Sequence, residues 1–271
     1  MKSLSFNEKI KELKRGADEG FCRICGEYSK LSDDHVPPKS CGNKDKIEIV
    51  YGNNKFISQN GLTCKTICEK CNNTLLGRNY DKELETLYKE ISTLNKSDII
   101  FGKIKVKVNV RNLVRCLLGH LLAICAYDKE KTVQEILKDK LNNNKDYIFT
   151  KYRKFVLGET DYLIDTLCYY WYYPYNNIVI NPLFVKADVL TGPKILDITG
   201  TIIKFFPIAL YLVNTEKSSG ELPLNILDLE SNYLVLNKRE NYHRDFPETP
   251  SKNELIMLNS GGSFDIEKKK N

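Results

Sequence analysis

The stretch FCRICGEYSKLSDDHVPPKS occupies residues 21–40, and TCKTICEKCNN occupies residues 63–73. Each carries a Cys-x-x-Cys pair, Cys22 with Cys25 and Cys68 with Cys71. Such a pair reaches one ion from a tight turn, and two pairs complete a tetrahedral thiolate site. Four thiolates favour zinc or iron. The chain carries no redox-cofactor fingerprint, so zinc is the expected ion. A full ligand set leaves no open coordination position, so this zinc is structural. Its role is to hold a small fold that buries too little apolar surface to be secure alone.

The chemistry must then come from the residues held beside the ion. Asp34 and His35 follow the first pair, and Asn72 and Asn73 directly follow the second. Pro37 and Pro38 exclude a helix around His35. A helix opening at the second pair presents Asn72 in its first turn, next to the first pair. Asp34 is a hard oxygen ligand and Asn72 offers an amide oxygen, and both suit magnesium or manganese. His35 is placed to act as a general base on water, with a divalent ion stabilising the charge that builds on a phosphate.

The succession CRIC, DDHVPPK, TICEKCNN and LLGRNYD resembles the HNH, or ββα-metal, endonucleases, over residues 21–85. The resemblance implies that His35 activates water for attack on a DNA phosphodiester. It makes Asp34 the metal-binding residue before that histidine. Asn72 stands at the final H of the motif, replaced by Asn, with Asn73 as the alternative ligand if the helix starts one residue later. Asn60 is the nearest candidate for the middle N, though farther before Cys68 than the usual spacing. Cys22, Cys25, Cys68 and Cys71 match the family's separate structural zinc ligands. Small HNH proteins with an extra domain occur in restriction and phage-defence systems, in mobile elements and in phages.

Outward from these motifs, Phe6 to Arg15 reads as a short amphipathic helix, and residues 46–68 as strand and turn. A helix follows Cys71, with a break expected at Gly77. FGKIKVKVNV alternates as a strand with Lys103, Lys105 and Lys107 on one face. Residues 111–143 read as one long helix or two consecutive ones, with Cys116, Cys125 and His120 as core positions. Short strands follow, clearest in NNIVINPLFVKADVL, KILDITGTIIKF and PIALYLVN. The expected class is α+β. A zinc-stapled ββα-metal nuclease module spans residues 1–97, and an α+β domain with an antiparallel sheet spans residues 98–271. The aromatic run CYYWYYPY, Cys168 to Tyr175, should pack on both faces of a strand.

The 271 residues carry a net charge of +6, with a pI near 8.7. That balance is compatible with a polyanion such as DNA without demanding one. Lys39 and Arg78 are candidate phosphate contacts, and the lysine row of residues 103–107 is either a backbone-tracking face or a protected edge. No signal-peptide pattern opens the chain and no apolar run is long enough to span a bilayer, so a soluble cytoplasmic protein with reduced cysteines is expected. The expected partners are DNA and, through the second domain, a further copy of the chain or another protein, with no membrane. The alternative function is a non-catalytic zinc module that recognises nucleic acid or a protein.

Overall fold

The computed structural model describes residues 18–51, 54–96, 102–124, 145–175, 178–191, 194–238 and 264–268. Strand β1 (Glu19–Phe21) pairs with β2 (Tyr28–His35), and β2 pairs with β5 (Thr63–Cys68), all antiparallel. The β1–β2 connection is the first Cys-x-x-Cys turn. It closes through the Gly26 N–H on the Cys22 carbonyl at 2.8 Å, and Gly26 takes φ 81°, which a side chain would resist. The β2–β5 register slips between Ser32 and Asp34, so β5 carries one extra residue there and the end of this strand pair bends.

Beyond Cys68 the chain turns straight into helix. It winds first in wide π-type turns, α1 (Lys70–Tyr80), and then as ordinary α2 (Asp81–Lys96). The Asp81 N–H reaching back to the Leu76 carbonyl marks the wide winding. The break expected at Gly77 is absent. A single helical glycine costs about 1 kcal/mol, and the buried row Leu76, Tyr80, Leu84, Leu87 and Ile91 outweighs it.

After β6 (Lys103–Lys107), α3 (Val110–Ile124) crosses these helices and is buried on almost every side, as its apolar composition requires. The approach is close. A Cβ on Gly119 would lie 2.3 Å from a Leu76 methyl. Helix α4 (Lys145–Leu157) packs beside α3, where the Tyr80 hydroxyl donates to the Val156 carbonyl at 3.1 Å.

The largest element is an eight-stranded antiparallel sheet. Its first strands in the chain are β3 (Ile47–Tyr51) and β4 (Asn54–Ser58). These join through β13 (Phe264–Lys268) to β8 (Ile178–Thr191), then to β9 (Lys194–Phe205), β10 (Ile208–Asn214), β7 (Thr166–Tyr172) and β11 (Asn225–Ile226). Strand β6 pairs separately with β12 (Tyr233–Asn237), burying Val106 and leaving Lys103, Lys105 and Lys107 exposed. The class is therefore α+β, with antiparallel sheets.

The aromatic run packs on both faces, as alternation demands. Tyr170 and Tyr172 join the main core, while Tyr169, Trp171 and Tyr173 build a second cluster on the opposite face. The main core takes residues from either side of position 97, among them Ile67, Leu87, Leu118 and Tyr172. The helix read over Phe6 to Arg15, the core position of Cys125 and the continuation of helix past Ile124 lie outside the described residues. Among the described residues, no helix is long and apolar enough to cross a membrane.

Candidate metal centre and catalytic histidine

The β1–β2 turn and the β5–α1 junction bring the four motif cysteines together. Their sulfurs all lie within 4.8 Å of one another, and Cys25 Sγ stands 3.8 Å from Cys68 Sγ. A tetrahedral ion with metal–sulfur bonds of about 2.3 Å would space its sulfurs roughly 3.8 Å apart. The four side chains therefore match the donor set of one metal ion. Backbone amides support the sulfurs, as outer groups do in metal–thiolate centres: Cys68 N–H points at Cys22 Sγ (3.3 Å) and Cys71 N–H at Cys68 Sγ (3.4 Å). The thiols act on each other. Hydrogen bonding with Cys22 draws the Cys25 and Cys68 thiols down, while Cys25 pushes the Cys22 thiol up.

A cation from a distant helix backs this cluster. Arg153 of α4 donates from Nε to the Ile24 carbonyl at 2.8 Å, inside the first Cys-x-x-Cys turn. A Cβ on Gly26 would come within 2.5 Å of its guanidinium, so the glycine leaves the space that the arginine fills. Burial lowers the Arg153 pKa, and the charges of Cys22 and Cys25 oppose that fall.

His35 closes β2 and is half-buried. Its pKa is held below the ordinary 6.5, first by burial and then by the nearby Lys39 cation, against the opposing pull of Asp34 and the Asn60 main chain. The imidazole is thus neutral at pH 7. Asn60 serves through its main chain, and its side chain lies exposed.

The side-chain clamp of this loop is Asn43, which the motif spacing did not single out. It is fully buried. Its amide donates to the Pro37 carbonyl (2.7 Å) and the Leu62 carbonyl (2.9 Å), and its Oδ1 accepts from the Leu62 N–H (2.8 Å). It ties the segment after His35 to the segment before β5. Its only signal in the sequence is Gly42–Asn43, a turn pair between two strands.

The expected divalent-ion ligands do not form an open oxygen site. Asp34 is 3% exposed, and its Oδ2 meets His120 Nδ1 at 3.0 Å. The slipped register and adjacent α3 turn this carboxylate inward, and burial raises its pKa. The Asn72 amide group donates to the Ser32 hydroxyl (3.1 Å) and the Asp33 carbonyl (2.9 Å), pinning the start of α1 to β2. Asn73 is exposed on the same turn. These donors secure the hairpin against the helix and do not face solvent as a pair.

His120 is buried in the core, as its apolar helix suggested. It is fully buried, and its Nε2 lies 3.1 Å from Asp81 Oδ1, so the ring spans two carboxylates. Buried ionisable groups persist only when paired in this way. Asp81 had no motif to announce it. Lys39 is exposed beside His35, and Arg78 is exposed on α1. No family model, curated protein or solved structure matches this chain.

Proposed function

We propose that this chain is an endonuclease that hydrolyses DNA phosphodiester bonds, with His35 as the general base and one structural zinc held by Cys22, Cys25, Cys68 and Cys71. The setting of His35 carries the proposal. Its ring is neutral at pH 7, half-open, and next to the Asn60 main chain. A neutral imidazole can take a proton from water. The Lys39 cation beside it attracts a phosphate and favours the neutral imidazole.

Zinc fits the four-sulfur set on spacing and donor type, and it contributes geometry alone, because four thiolates leave no coordination position for water. Asp34 and Asn72 are the donors that the HNH resemblance assigns to magnesium or manganese. The Asp34 carboxylate is turned inward onto His120 and does not fit that role, so no hydrolytic step is routed through such an ion. Cleavage of foreign DNA, in restriction or phage defence, is the setting this resemblance suggests. Residues 98–271 would then choose the substrate, bind a partner or pair two copies.

One observation favours a second reading, a non-catalytic zinc module that recognises nucleic acid or a protein. The carboxylate beside His35 is sealed in the core by His120. The deciding experiment incubates the purified chain with supercoiled plasmid in magnesium and then manganese, beside His35→Ala. Nicking in either metal that disappears in the variant, with zinc still bound, supports the nuclease. Equal cleavage by the variant removes His35 from the mechanism. No cleavage by the unaltered chain in either metal favours the non-catalytic module.

A further inference from the structure

Between α2 and α3, three further metal donors converge away from the cysteine cluster. Cys116 and His120 stand one turn apart on α3, and Asp81 opens α2 opposite them. Asp81 Oδ1 lies 3.1 Å from His120 Nε2 and 3.3 Å from Cys116 Sγ. The three donor atoms all fall within 4.8 Å of one another. Residues at i and i+4 are how one helix face offers two ligands to a single ion. A tetrahedral ion with bonds of about 2.0–2.3 Å separates its donors by roughly 3.3–3.8 Å. The two spacings measured from Asp81 Oδ1 lie within a few tenths of an ångström of that range.

An independent observation lies on the other side of the ring. His120 Nδ1 meets Asp34 Oδ2 at 3.0 Å, with His120 fully buried and Asp34 3% exposed. A metal-bound histidine characteristically gives its second N–H to a carboxylate, which fixes the tautomer and raises the basicity of the ligating nitrogen. The proposed hydrolysis uses none of these four side chains.

We propose that Asp81, Cys116 and His120 form a second zinc site, distinct from the four-cysteine site, with Asp34 as the carboxylate that orients His120. One sulfur, one imidazole and one carboxylate suit zinc, whereas magnesium and calcium take oxygen donors. Binding releases the Cys116 thiol proton together with any proton on His120 Nε2. The ion would staple α2 to α3, and through Asp34 it would fix the end of β2 that carries His35. This site stands whether or not the chain cleaves DNA.

Zinc per chain, measured by elemental analysis of the purified full chain after dialysis, is the first test. Two ions in the unaltered chain and one in Cys116→Ser, with the native circular dichroism retained, is the expected result. One ion in the unaltered chain, unchanged in Cys116→Ser, overturns the second site. Because Cys116 is buried and its variant can fail to fold, cobalt(II) exchanged into the unaltered chain is the second test. Two cobalt ions, one with the intense thiolate band of four sulfurs and one with the weaker band of a single sulfur, support the site. A single cobalt ion with the four-sulfur band alone overturns it.

Discussion

Asn43 does for the His35 loop what no charged residue nearby can do, since it both donates and accepts. Its amide satisfies two carbonyls and its oxygen one N–H, all in a water-free setting. Asn43→Ala leaves the Pro37 carbonyl and the Leu62 N–H without this partner, while the Leu62 carbonyl keeps the Val36 N–H at 3.1 Å, and the loss costs roughly 2–4 kcal/mol in total. Urea unfolding should read that loss. The same position explains Gly61, at φ 70°, where a Cβ would lie 2.3 Å from both Asn43 oxygens. His35 itself sets a pH dependence. Its folded pKa lies below the ordinary 6.5, so the unfolded chain binds more protons as pH falls through that region. Stability from this group is therefore present above 6.5 and lost as pH drops toward the depressed folded value. The same shift keeps the base neutral through pH 7. The acid limb of the cleavage profile is expected below 6.5, and a limb above it would contradict the assignment.

At the scale of elements, the cysteine cluster joins three pieces: the three-residue strand β1, the β2–β5 pair and the first turns of α1. Removing the ion should therefore release the β1–β2 turn and α1 together. A strong chelator is expected to lower helical circular dichroism and to free thiols to a colorimetric reagent, with recovery on adding zinc. Retention of both signals would show that packing alone holds these elements. Where α1 meets α3 the constraint is steric. Gly119→Ala gains about 1 kcal/mol of helix propensity, but the added methyl meets Leu76 in a closed core, where overpacking costs about 1–3 kcal/mol. A net loss of about 1 kcal/mol in denaturant titration is expected.

Across the whole molecule, distant segments complete one another. Arg153 of α4 reaches the first Cys-x-x-Cys turn, and β13, from the far end of the described chain, pairs with β3. The eight-stranded sheet thus joins residues on both sides of position 97. Its tolerance to substitution is lowest where strands press on each other. A Cβ at Gly200 would lie 2.2 Å from the Leu212 carbonyl oxygen, and that atom belongs to a paired backbone which cannot turn aside. Gly200→Ala is expected to destabilise by at least about 2 kcal/mol, seen as a lower thermal midpoint for the entire fold. A small local effect would mean that this sheet unfolds separately from the helical core.

The four-sulfur cluster was legible from residue order, because each Cys-x-x-Cys pair is a local turn whose spacing already suits one ion. Strands with strict alternation, such as Lys103–Lys107 and the aromatic run of β7, were legible for the same reason: period two assigns the faces before anything packs. The uninterrupted helix through Gly77 was not, since propensity at one residue is weaker than the buried row on either side of it. Nor was the orientation of Asp34. Sequence placed it beside His35, but its charge is disposed of by His120, 86 residues away, and that ring's second partner, Asp81, is 39 residues from it. A carboxylate faces solvent or core according to which opposite charge the fold brings within reach, and only tertiary packing brings these three together.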